Sequence, residues 1–199
     1  MDAEAWDERY RERDLVWSAE PNVFVAKEVA DLPPGRALDL AAGEGRNAIW
    51  LASRGWAVEA VEFSSVAIDK GRRLAEHAGV HVDWTLADLT RQPGLAPADL
   101  VLLIYLHLPQ PHADAVLRHA ATLVRPGGVL LVIGHARRNL TDGYGGPPDA
   151  ALLAQPEEVA DVLAAAGLHV ERAEEALRGV ETDDGPREAI DLLVRATRA

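Results

Sequence analysis

The chain has 199 residues, 48% hydrophobic and 26% charged, with a formal net charge of −12 and no cysteine. That length supports one domain with a sizeable core and a cleft, and the missing thiols exclude disulfides, a thiolate nucleophile and a Cys-ligated zinc. The acid excess argues against nucleic acid as a partner: such binders carry a basic footprint, and the densest basic clusters here are only Arg72-Arg73 and Arg137-Arg138.

Residues 1–35 predict a helical lid. An amphipathic segment with Trp6 and Tyr10 leads to VWSAEPN and then to a second helix ended by LPPGR. The charged start MDAEAWDERYRERD is unlike an export signal, so a cytoplasmic location is expected. No apolar run approaches the roughly 18 to 20 residues of a membrane span, so no membrane is expected as a partner.

Residues 36–134 predict a cofactor-binding core. β-rich runs near 37–41, 57–62, 80–86, 99–105 and 129–134 alternate with helical patterns over 46–54, 65–78 and 110–124. That alternation argues for an α/β protein with a parallel sheet and helices on both faces. Gly55 stands where the first of these helices needs a left-handed stop, and RPGG at 125–128 is expected to stop the third. From 135 to 199 the pattern is a long loop, a helix over 156–166 and two strands. The helix opens on Gln155-Pro156-Glu157-Glu158, where a missing N–H costs little and negative charge suits the dipole. The strands, LHVERAEEALRGVE and EAIDLLVRATR, are joined by the turn-rich TDDGP and read as a closing antiparallel hairpin. No internal repeat is visible, and the whole reads as a single domain.

The stretch RALDLAAGEGRNAIW, residues 36 to 50, carries the chemistry. Asp39 ends the first strand, and Gly43-Glu44-Gly45 turns into a helix whose first N–H groups are free. Ligands of doubly wound sheets bind outside the strand C-termini. GEGRNA even satisfies the dinucleotide pattern G-x-G-x-x-A, although a tight turn needing glycine for backbone reasons alone gives the same letters. Glu62 ends the second strand and can accept both hydroxyls of a ribose; Phe63 places a ring where a purine would lie. Asp88 ends the third strand and can accept from an adenine amine. An acid just before the glycine loop repels a pyrophosphate and suits an ammonium group. The three acids at successive strand ends therefore point to S-adenosylmethionine rather than NAD.

LDLAAGEGRNAIWLASRGWAVEAVEFS resembles the cofactor-binding half of class I S-adenosylmethionine-dependent methyltransferases. WDERYRERDLVWSAEPN, LPPGRALDL and GHARRNLTDGYGG are similar to segments of the tellurite-resistance-type and thiol-type small-molecule enzymes. The resemblance implies a Rossmann-like seven-stranded sheet of order 3-2-1-4-5-7-6. It further implies that Asp39, Ala41, Gly43 and Gly45 surround the methionine part and Glu62 holds the ribose. Phe63 would pack on adenine, with Asp88 and Leu89 at the adenine edge, and Trp17 would lie over the cofactor. Ala41 replaces the usual glycine and is tolerable if its φ is negative; Glu62 replaces the commoner aspartate.

Transfer of a sulfonium methyl is an in-line displacement driven by alignment, electrostatics and water exclusion. A base is needed only when the acceptor must lose a proton. Tyr105 and His107 past the fourth strand and His135 past the fifth are the base candidates. Arg137 and Arg138 could orient an anionic acceptor, and Tyr144 could close on an aromatic one. No metal-ligand spacing appears, so none is expected. The expected acceptor is a small molecule; the alternatives are a non-catalytic binder of the same cofactor and an NAD-linked oxidoreductase.

Overall fold

In the computed structural model, which describes residues 3–12, 15–16 and 20–199, seven strands form one mixed sheet of order β3-β2-β1-β4-β5-β7-β6. The strands are β1 (Arg36–Leu40), β2 (Ala57–Glu62), β3 (Asp83–Leu86), β4 (Ala98–Ile104), β5 (Val124–His135), β6 (His169–Val180) and β7 (Arg187–Thr197). The helices are α1 (Ala3–Arg11), α2 (Val23–Glu28), α3 (Arg46–Ser53), α4 (Ser65–His77), α5 (His112–Thr122), α6 (Asn139–Asp142) and α7 (Pro156–Ala165). The Rossmann-like order expected from the resemblance is the order observed. Among the described residues no helix is long and apolar enough to cross a membrane. The chain divides into two compact units, Met1–Leu102 and Leu103–Ala199.

In the first unit β1 and β2 run parallel with Asp39 opposite Ala60, and β2 and β3 run parallel with Glu62 opposite Leu86. Leu38, Leu40, Leu51, Val61 and Val25 are fully buried around them. β3 is shorter than its apolar pattern predicts, because Val80 is spent on ending α4: its N–H donates to Ala75 O at 3.0 Å, with Gly79 at φ 67°. Trp84 of β3 explains the helix packing. A Cβ at either Gly45 or Gly71 would overlap its indole ring, so the glycine that caps α3 and one within α4 make the room for one tryptophan. Gly45 is thus required by protein packing, and not only by a ligand's approach as the sequence pattern suggests.

In the second unit β5, β7 and β6 form an antiparallel set, with Ile133 opposite Leu193 and a bulge at Val170/Arg172. Leu130, Leu131, Ile133, Leu163 and Leu193 are fully buried. α5 ends at Thr122, before RPGG, which instead opens β5; there Gly127 N–H donates to Arg198 O at 2.7 Å. α7 begins as expected, its Glu158 carboxylate accepting from Gln155 N–H at 2.9 Å.

Candidate functional site

Asp39 is 1% exposed, and its carboxylate accepts the N–H of Ala48 at 3.1 Å in the first turn of α3. Burial pushes its pKa up to about 7; the Ala48 bond and the charge of Arg46 oppose that and the charge of Glu62 adds to it. Glu62 is also buried. One oxygen accepts Gly43 N–H at 2.9 Å and the other Ser64 N–H at 3.0 Å, so a single carboxylate fixes the glycine loop and the start of α4 together. Burial raises its pKa against those hydrogen bonds.

The raised value of Asp39 has a stability consequence with a definite sign. A carboxyl whose folded pKa lies above its unfolded value near 4 holds extra protons in the native state, so stability falls as pH rises from about 4 to about 7. Asp39→Asn keeps an acceptor for Ala48 and removes the buried charge. It is expected to raise unfolding stability by about 2 kcal/mol at pH 8, with the gain shrinking toward pH 4.5. Thermal unfolding at the two pH values checks this; equal gains at both would mean that Asp39 is not held protonated.

The loop backbone departs from expectation at Ala41, whose φ is +58°, not negative. The strand-to-helix turn needs left-handed geometry at 41, 43 and 45, and an alanine there costs about 1–2 kcal/mol relative to glycine. The middle of the loop serves the N-terminal segment. Glu44 accepts Val16 N–H at 3.0 Å and lies 3.5 Å from Lys70 Nζ, and Asn47 accepts Asn22 N–H at 2.9 Å. Ser64 donates to Asp7 of α1, and Lys70 donates to the Tyr10 carbonyl. The charged letters of α1 and α4 hide these contacts, since ion pairs on helix faces are usually solvated. Trp17 lies outside the described residues. Phe63 is half-buried beside Glu62. Asp88 sits two residues beyond β3, where its carboxylate caps a 3-10 turn through Thr90 N–H at 2.9 Å; Leu89 behind it is buried.

The second unit gathers Tyr105, His107 and His135. The ring centroids of Tyr105 and His135 are 5.1 Å apart, and the two imidazoles stack at 5.6 Å. Two groups the sequence reading missed complete the cluster. Asp191 of β7, wholly buried, accepts from Tyr105 Oη at 2.6 Å and Arg178 Nε at 2.7 Å, and its other oxygen lies 3.2 Å from His135 Nδ1. Its signal was an acid interrupting the buried run AIDLLV. Burial pushes the Asp191 pKa up, but the hydrogen bonds from His135, Arg178 and Tyr105 win, and it lies below the usual carboxylate range. Burial chiefly, helped by His135, pushes His107 down to about 4, so it is neutral near pH 7; its Nε2 accepts His135 N–H at 3.2 Å.

The arginines expected to meet an acceptor have protein partners. Arg137 makes two bonds to Glu158, at 2.9 and 2.7 Å, and Arg138 pairs with Glu175 at 2.9 Å. Tyr144 is exposed in the following loop. Asn139, buried, anchors that loop by accepting Ile190 N–H at 2.7 Å and donating to Gly145 O at 2.8 Å.

Residues 37–128 match the family model described as a methyltransferase domain. Among curated proteins, the tRNA 5-carboxymethoxyuridine methyltransferase of Escherichia coli (strain K12) is 32% identical over 99 residues. That alignment takes in 48% of this chain and 38% of the relative, so the chain spans well under half the relative's length. Several solved structures share the fold. One, from work on conversion of a disulfide bond into a thioacetal group during echinomycin biosynthesis, has a TM-score of 0.80 at 24% identity, covering 98% of this chain and 91% of that one. TehB from Haemophilus influenzae has a TM-score of 0.75 at 16% identity, covering 90% and 63%. The N-methyltransferase NodS from Bradyrhizobium japonicum, in complex with S-adenosylhomocysteine, has a TM-score of 0.74 at 15% identity, covering 100% and 99%. The exclusion of nucleic acid as a partner does not survive the match to a tRNA-modifying enzyme. The physical error was to read a whole-chain net charge as if it described every part of the surface, when binding depends on local charge.

Proposed function

We propose that this chain is an S-adenosylmethionine-dependent methyltransferase. The observation that carries the reading is the placement of Asp39: a carboxyl 1% exposed near the end of β1, directly before the left-handed turn at 41, 43 and 45, favours a cation over a phosphate. An ammonium group there would restore the carboxylate, and Glu62, held rigidly by Gly43 and Ser64, keeps lone pairs for a ribose diol. When bound, the cofactor supplies the electrophilic methyl group. The chain's part is to bind, orient and exclude water. The methyltransferase-domain match over 37–128 supports the same reading. A cytoplasmic location belongs to the same proposal.

Glu62→Gln keeps one acceptor for the loop and removes the charge that favours the diol. It is expected to weaken S-adenosylhomocysteine binding by about 2 kcal/mol, roughly 30-fold; unchanged affinity by calorimetry would remove Glu62 from the ribose role. Acceptor class is decided by methyl incorporation from labelled cofactor, with bulk tRNA in one arm and a panel of thiols, phenols and amines in the other. The first arm follows the curated relative and the second the tellurite-resistance and thiol resemblance. Tight cofactor binding with no incorporation in either arm would favour a non-catalytic binder.

A further inference from the structure

Of the three groups suited to take a proton, two are spent inside the protein. Tyr105 Oη donates to Asp191, so it is an orienting group and not a base. His107 accepts the His135 N–H on Nε2 and is held neutral. His135 differs. Its Nδ1 and Asp191 Oδ1 are both buried, neither is satisfied by another hydrogen bond, and they face each other at 3.2 Å. A carboxylate opposite Nδ1 selects the tautomer with the proton on Nδ1, which leaves Nε2 a bare lone pair. Asp191 is in turn fixed by Arg178 and Tyr105 on its other oxygen. Gly146, at φ +83°, brings loop backbone against the same ring: a Cβ there would stand 2.8 Å from two ring carbons and 3.2 Å from Nε2. Glycine at 146 therefore keeps a side chain away from His135 Nε2.

We propose that Asp191 is a positioning residue that holds His135 as the Nδ1–H tautomer, so that His135 Nε2 is the proton acceptor for an O–H, N–H or S–H group of a small ligand bound against the His135 ring. The ligand's proton passes to Nε2, and the resulting imidazolium faces the Asp191 carboxylate through Nδ1.

The test is the ¹⁵N spectrum of histidine-labelled full-length protein at pH 8, with His135 assigned by His135→Gln. The wild type is expected to show a protonated Nδ1 and a bare Nε2 at His135. In Asp191→Asn the side-chain amide would donate to Nδ1, and the proton is expected to move to Nε2; Asp191→Glu should restore the original tautomer at least in part. A wild-type His135 protonated on Nε2 overturns the proposal even if no variant folds. So does a tautomer unmoved in a folded Asp191→Asn protein. Thermal shift with S-adenosylhomocysteine on the same samples separates the two claims. A correct tautomer without that shift would sink the methyltransferase reading and leave the His135–Asp191 pairing standing.

Discussion

Replacing Gly45 by alanine is expected to lower unfolding stability by about 3 kcal/mol or more. Two costs add. The residue has φ +80°, where an L side chain costs about 1–2 kcal/mol. The new Cβ would also overlap the Trp84 ring, which is confined by the equally small Gly71, and overpacking costs about 1–3 kcal/mol. Gly79→Ala is the matched comparison, since Gly79 also has positive φ (67°) but meets nothing within 4 Å of an added Cβ. It should cost only the backbone share, about 1–2 kcal/mol. Urea unfolding of both variants checks the difference; equal losses would show that Trp84 does not fill the space beside Gly45.

Asp191→Ala should cost about 3–5 kcal/mol, the loss expected when one partner of a buried charge pair is removed. Arg178 would lose its counter-charge, Tyr105 its acceptor and His135 its facing carboxylate. The pH dependence follows from the depressed pKa of Asp191. A carboxyl depressed in the native state contributes stability above its unfolded pKa near 4, and that contribution is lost as pH falls through the folded value. The gap between wild type and Asp191→Ala is therefore expected to be full at pH 7 and to narrow below about pH 4. A gap that stayed constant into acid would mean that the aspartate acts by shape and not by charge.

The fold was legible because its signals are local. β-rich runs alternating with helical patterns placed the strands and helices, Gln155-Pro156 marked the start of α7, and β5 begins earlier than expected because RPGG belongs to it. β3 was overextended because Val80 looks like a strand residue and serves a helix end instead, which only tertiary geometry reveals. In the site, Tyr105, His107 and His135 were legible because all follow parallel-strand patterns that end at one edge, and the structure brings their rings together. Asp191 and Arg178 were not, since the hairpin letters alone do not say which face of β6 and β7 points inward. Arg137 and Arg138 looked available in sequence because Glu158 and Glu175 lie 21 and 37 positions away from them (158 − 137; 175 − 138). The net charge misled about partners because an average over a surface carries no map.

The central claim is that the Asp39–Glu62 end of the sheet receives an adenosyl sulfur compound bearing an ammonium group. Isothermal titration of the wild-type protein with S-adenosylhomocysteine, and separately with NAD, tests it most directly. The account predicts saturable one-site binding of S-adenosylhomocysteine, lost or strongly weakened in Asp39→Asn, and no binding of NAD. Binding of NAD alone would contradict it, and would return the glycine loop to a pyrophosphate.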